Sequence, residues 1–289
     1  MRAPTFSLEV GASYFEREVS AVVKKNIILP ELSCPLAVIP DPVRFLRARE
    51  IVLGESLSGS GRGTLSEQTL HNILKTYIEP NSRYHEVEYC GSILDVKNAE
   101  GIFEVQTRGY DRLLPKLSRL LESERICVVC PLATDKVIRW LDRETGELSA
   151  PKKSPKRECA YDAFKMLFGI RGVIAHENLT VRLMYLRVEE FRNLDGYGKD
   201  KKRRSTRLER IPTELLCELT LSCPEDYASL LPTELPDEFT VAELAKHVKR
   251  SSRYTFYIMK LLVAVGAVAE AGKRGRAQLY KRAFPKDNH

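Results

Sequence analysis

Hydrophobic positions along the chain change their period several times, and each change marks an element. In LSEQTLHNILKTYIEP (residues 65–80), Leu70, Ile73, Leu74 and Ile78 recur at helical spacing, with Ser66 placed as cap and Pro80 as stop. The period then falls to two. RYHEVEY (83–89), SILDVK (92–97) and GIFEVQT (101–107) alternate and are separated by Gly- or Asn-containing breaks short enough for hairpins, which predicts an antiparallel meander. Helical spacing returns in YDRLLPKLSRLLES, where Leu113, Leu114, Leu117, Leu120 and Leu121 share a stripe and Pro115 is tolerated if the helix begins near Asp111. RICVVCPL follows, continuously apolar as expected of a strand at the centre of a sheet. The predicted order is helix, three strands, helix, strand.

Further on, KVIRWLDRETGELSA predicts a strand, a turn and a short strand, and CAYDAFKMLFGI a helix, whereas NLTVRLMYLRVEEFRNL mixes both periods and specifies neither. FTVAELAKHVK predicts a helix capped by Thr240, with Glu243 at the capping-box position. SSRYTFYIMKLLVAVG predicts a second, capped at Ser251 or Ser252, burying Phe256, Met259, Leu262 and Val263 and ending at Gly266. AVAEAGKRGRAQLYKR then reads as two strands around a basic turn. Upstream, prolines at 30, 35, 40 and 42 interrupt the pattern, and GESLSGSGRGT (54–64) reads as a linker. The resulting expectation is an α/β chain of the α+β class in four parts: an N-terminal region and linker (1–64), an α/β domain (65–198), a basic connecting segment (199–231) and a C-terminal module (232–289).

Charge sharpens this division. The formal net charge is +7, yet residues 239–289 alone hold eleven Lys or Arg against three Asp or Glu, which leaves the other 238 residues at −1. KDKKRRSTRLER (199–210) is a second basic focus, with seven basic and two acidic residues. Such clustering suits a polyanion, because neutralising phosphates releases counterions, although a solvated linker explains 199–210 equally well. Seven scattered cysteines make no disulfide framework, and the CxxC of Cys127 and Cys130 lacks the second pair of ligands that zinc needs. No apolar run nears the ~18 residues of a membrane span, and the N-terminus lacks the order of a signal peptide, so a cytoplasmic protein without membrane association is expected.

Strand alternation puts Ile93, Asp95 and Lys97 on one face, and Ile102, Glu104 and Gln106 on one face of the next strand. Antiparallel pairing therefore brings Asp95 beside Glu104. Two carboxylates so placed repel, raising a pKa unless a cation lies between them, and Mg²⁺ or Mn²⁺ suits such an oxygen pair.

Asp95, then Glu104 with Gln106 two residues on, in helix, three-strand, helix, strand order, resembles the PD-(D/E)XK nuclease superfamily over about residues 65–132. The resemblance implies a restriction-endonuclease-like αβββαβ core in which Asp95 and Glu104 hold the metal and Gln106 positions the attacking water. Leu94 stands where that pattern has Pro, and Gln106 where Lys is usual; an amide orients water but cannot deprotonate it. Glu86 is placed as an additional metal ligand. The competing expectation is a half-solvated sheet with Lys97 paired across to Glu104 and no metal.

For nucleic acid, Arg108 begins the following helix, and Lys152, Lys153, Lys156 and Arg157 form a candidate phosphate-contacting loop. The terminal helix, helix, hairpin order resembles a winged helix over about residues 232–283. This implies that Arg250, Ser251, Arg253, Tyr254 and Tyr257 enter a major groove, while Lys273, Arg274 and Arg276 meet backbone or minor groove. Together these expectations describe a metal-dependent nuclease acting on DNA, with RNA and a homo-oligomer left open. A non-catalytic DNA-binding regulator built on a degenerate nuclease-like scaffold, and a winged-helix assembly factor, are the alternatives.

Overall fold

Residues 126–132 are apolar at nearly every position, which a strand can satisfy only when both of its faces are covered. The computed structural model, which describes residue 34 and residues 36–57, 68–142, 144–194 and 205–285, covers both. In chain order the elements are β1 (Ala37–Val38), α1 (Pro42–Leu57), α2 (Gln68–Ile78), β2 (His85–Tyr89), β3 (Ser92–Asn98), β4 (Gly101–Val105), α3 (Tyr110–Leu120), β5 (Ile126–Leu141), β6 (Lys152–Lys153), α4 (Ala160–Leu167), β7 (Leu179–Asn193), β8 (Thr206–Leu221) and α5 (Pro224–Ser229). The chain ends in β9 (Glu238–Thr240), α6 (Val241–His247), α7 (Ser252–Ala264), β10 (Val268–Arg274) and β11 (Ala277–Arg282).

Among the described residues the fold is α+β, with one mixed sheet in the order β1-β8-β7-β5-β4-β3-β2 and β6 beside β5. The β4–β5 and β5–β7 pairings are parallel and the others antiparallel. The expected run of helix, three strands, helix and strand is present as α2, β2, β3, β4, α3 and β5. On one face α1 and α2 bury Phe45, Val52, Ile73 and Leu74 against Phe103, Val129 and Leu186. On the other, α3 and α4 bury Leu117, Phe164 and Leu167 against Val128, Cys130 and Tyr185. Ile73 and Leu117 are wholly buried, and truncating either to Ala costs about 2–5 kcal/mol. Gly169, just after α4, lets that turn approach the start of α3, since a Cβ there would meet the Asp111 nitrogen at 2.7 Å.

The C-terminal elements run strand, helix, helix, strand, strand, with a second sheet in the order β10-β11-β9. Thr240 and Glu243 form the expected capping box, Ser251 caps α7, and Gly266 follows it at φ 82.

Several expectations are corrected. Residues 206–221 are a long strand of the main sheet rather than a connecting segment, because Cys217, Leu219 and Leu221 are buried on one face and, past a register shift, Leu215 on the other. Helix α1 lies within the region read as N-terminal and runs through Gly54 to Leu57, where a linker was expected; the rest of that stretch and Ser66 lie outside the described residues, as do 199–204. The segment of mixed period is strand β7, and β5 continues without a break through Ile138 and Trp140. The C-terminal module has no separate core: Phe239, Leu244, Ile258 and Leu262 belong to the same apolar cluster as Leu117 and Phe164. Phe256 is 45% exposed rather than buried. Its neighbour Tyr257 makes the inward contact, edge-on to Phe168 at 5.1 Å. No helix among the described residues is long and apolar enough to cross a membrane.

Candidate active site

The pairing of Val96 with Phe103 and Lys97 with Ile102 sets the register that brings Asp95 across from Glu104. At that point the ladder gives way to a side chain. Asp95 Oδ2 accepts the Val105 backbone N–H at 2.8 Å and lies 2.9 Å from His71 Nε2, which α2 supplies. Burial pushes the Asp95 carboxyl up, but the hydrogen bond and charge of His71, the Val105 N–H and nearby Lys75 outweigh it and hold the group below its usual value. One turn along α2, buried Lys75 pairs with Glu86 of β2.

Glu104 meets different surroundings. It is 4% exposed, and the Nζ of Lys116, from α3, stands 2.6 Å from its Oε1. Lys116 also donates to the Ile93 carbonyl at 2.6 Å, and Glu104 Oε1 receives no well-directed hydrogen bond despite the short ion-pair distance. Burial, then the charge of Asp95, push Glu104 up to about 7 against the pull of Lys116.

The remaining sequence candidates divide. Gln106 follows β4, its backbone N–H bonded to the Val129 carbonyl at 2.9 Å and its side-chain amide donating to the Arg108 carbonyl. The cation beside Glu104 is therefore Lys116. Glu86 is committed to Lys75, and no group of three or more His, Cys, Asp or Glu able to hold a metal is found among the described residues. Lys97 does not reach across to Glu104: it pairs with Glu124 at 2.9 Å and stacks over Tyr89 at 4.1 Å. Arg108 is exposed. Lys152, Lys153, Lys156 and Arg157 are exposed beside β5, with Lys153 3.4 Å from Asp135 and Lys156 3.2 Å from Glu158.

In the C-terminal module, Arg250 and Tyr254 do not face outward as a DNA-reading surface would require. Arg250 Nη2 and the Tyr254 hydroxyl each lie 2.7 Å from an oxygen of Asp162 on α4, so the start of α7 is docked on the central body. Arg274 pairs with Glu243 at 2.8 Å, while Arg253, Lys273 and Arg276 are exposed. Sequence reasoning passed over His71 and Lys116. The signal for Lys116 was a polar break in a leucine stripe; for His71 there was only its place one turn before Lys75.

A family model described as Domain of unknown function (DUF8091) matches residues 68–222, from the start of α2 to the end of β8. A Treponema pallidum (strain Nichols) protein described as "Uncharacterized protein" is 30% identical over 226 residues, covering 78% of this chain and 89% of that one. The chain belongs to the DUF8091 family. No solved structure matches it.

Proposed function

We propose that the protein is a metal-dependent phosphodiesterase of the cytoplasm that acts on DNA, with its central domain built as a PD-(D/E)XK-like nuclease. The observation that carries this reading is the Asp95–Glu104 pair, in which one carboxyl is held below its usual value while its neighbour is driven up to about 7 by burial and by that charge. Opposed titration of adjacent carboxyls is what acid–base and metal chemistry require of a site. The donor set fits a divalent cation: two carboxylates with an ill-satisfied Glu104 Oε1 match Mg²⁺ or Mn²⁺, which take one or two carboxylates and fill their remaining positions with water and phosphate oxygen. Bound there, the ion would supply an activated water and offset phosphate charge.

The protein's own groups have separate tasks. His71 keeps Asp95 ionised and oriented through the 2.9 Å contact. Lys116 offsets the charge of Glu104 and supplies, from a helix, the positive charge that Gln106 lacks. A second reading, a DNA-binding regulator on a degenerate scaffold, is favoured by that same ion pair, which balances Glu104 without any metal.

Purified protein and the Asp95→Ala variant, incubated with single- and double-stranded DNA and RNA in Mg²⁺, Mn²⁺ or EDTA, separate the two. Metal-dependent cutting by wild type alone supports the enzyme and identifies the preferred nucleic acid. Binding without cutting supports the regulator. Sedimentation of the same samples reports any self-association.

A further inference from the structure

Helix α7 repeats Arg253, Phe256, Tyr257 and Lys260 at helical spacing, on the side away from buried Thr255, Ile258, Met259 and Leu262. Phe256 is 45% exposed. A lone apolar side chain in water is ordinary, but this ring is not alone. It meets Tyr257 edge-on at 5.9 Å, and Tyr257 meets Phe168 at 5.1 Å. Three rings therefore run from α7 onto the short turn Phe168–Ile170 that follows α4.

Each ring carries a cation. Lys260 Nζ lies 5.8 Å from the centre of Phe256, Lys165 Nζ 6.0 Å from that of Tyr257, and the Arg171 guanidinium 4.1 Å from that of Phe168. Lys165 and Arg171 are exposed, and Arg171 also donates to the Phe168 carbonyl at 3.1 Å, which holds its guanidinium over the ring. Lys260 is shared with Glu270 at 3.6 Å, and both of those side chains reach water. Asp162, one turn before Lys165 on α4, is engaged by Arg250 and Tyr254.

Rings interleaved with cations match a chain that alternates flat bases with phosphates, because every base has a face to stack and every phosphate a charge to offset. In a duplex those faces are covered by neighbouring base pairs, so the match is to unpaired strand. A protein partner suits the band less well, since lysine is depleted at the centre of protein interfaces and two of these three cations are lysines.

We infer that Phe168, Phe256 and Tyr257, with Lys165, Arg171 and Lys260 over their rings, form a platform for single-stranded nucleic acid. Bases stack on Phe256 and on the guanidinium plane of Arg171, and phosphates meet the lysines. Taking nucleic acid as the partner rests on the function proposed above, which the platform deepens by naming unpaired strand as the substrate class. Binding there requires no metal and no residue of the Asp95–Glu104 pair.

The test is run in EDTA, so that it does not depend on cutting. A labelled single-stranded oligothymidylate and a duplex of equal length are titrated at several salt concentrations into wild type, Phe256→Ala and Lys165→Gln/Arg171→Gln. Wild type should prefer the single strand, and Phe256→Ala should weaken that binding about ten-fold with its salt slope kept. In Lys165→Gln/Arg171→Gln the slope should become shallower by about 0.7 for each phosphate no longer neutralised. A Phe256→Ala variant that melts with the wild type and binds single strand equally well overturns the inference, as does a wild type that binds duplex as tightly or binds neither. Should Phe256→Ala not fold, Phe256→Trp decides: its added fluorescence, above the background of Trp140, should be quenched as bases stack on it, and unchanged emission at saturation overturns the platform. If Phe256→Ala instead turns a self-associated wild type into a monomer in sedimentation, with oligonucleotide binding unchanged, the band belongs to a second copy and the inference falls. Single-strand binding that depends on Phe256, without cleavage by wild type in Mg²⁺, removes the enzyme reading and leaves the platform standing; cleavage with no such dependence does the reverse.

Discussion

Two carboxylates buried in this molecule, Asp162 and Glu190, invite comparison because both are met by arginine and both are held below their usual pKa. Asp162 faces one arginine, Arg250, with the Tyr254 hydroxyl and the Cys159 backbone N–H completing its hydrogen bonds. Charge is balanced, and the result is a joint between α4 and α7. Glu190 faces three arginines and a lysine, drawn from three strands. The ingredients are alike, but one makes a single joint between two helices and the other a hub that ties three strands together.

The strongest way to break that comparison is Glu190→Ala. Four cations are then left without their common partner in a buried place, so stability should fall by about 3–5 kcal/mol in urea titration. Asp162→Ala should cost less, about 2 kcal/mol, because Arg250 is 27% exposed and can turn toward water. An equal loss in the two variants would show that the number of cations around Glu190 has no consequence.

Acid sharpens the same contrast. Glu190 titrates near 2 when folded, against an ordinary value of 4.5. Its stabilising contribution is therefore present above pH 4.5 and is lost as pH falls toward 2. Glu190→Gln should flatten that part of the stability curve, as measured by thermal melting across pH.

Glu104 carries the opposite sign. Its folded value is about 7, so the stability it contributes is present below pH 4.5 and fades as pH rises through 7. Glu104→Gln should level the melting temperature between pH 5 and 8. In wild type, Mg²⁺ should lower the titration midpoint of Glu104, as followed by carboxyl NMR, and it should fail to do so in Asp95→Asn. An unmoved midpoint in wild type would count against metal at this pair.

How much of this was legible depends on where each neighbour comes from. The order from α2 to β5 could be read because each change of period reflects burial of one face, and the register of one hairpin placed Asp95 opposite Glu104. Strand β8 was hidden, since Arg207, Glu209, Glu214 and Glu218 make it look like a solvated connector and Pro212 interrupts the strand signal. Strand β7 was ambiguous because Leu183, Met184, Tyr185 and Leu186 are all buried, with partners on both sides of the sheet. His71 and Lys116 reach the site from helices, and strand alternation does not encode how a helix is rotated above a sheet. The Glu190 cluster draws on three strands, so no local window contains it. Likewise, nothing near Arg250 in the chain announces Asp162.

Phe239, Ile258, Leu261, Leu262 and Tyr280 lie in the cluster that also contains Leu117, Phe164 and Tyr185. During synthesis, that cluster cannot close until the last of these residues has left the ribosome. At roughly 5–20 residues per second, the wait from residue 231 onward lasts a few seconds. In that interval the side of α4 that α7 covers stands open, and a chain released early would be a target for chaperones and proteases rather than a working fragment.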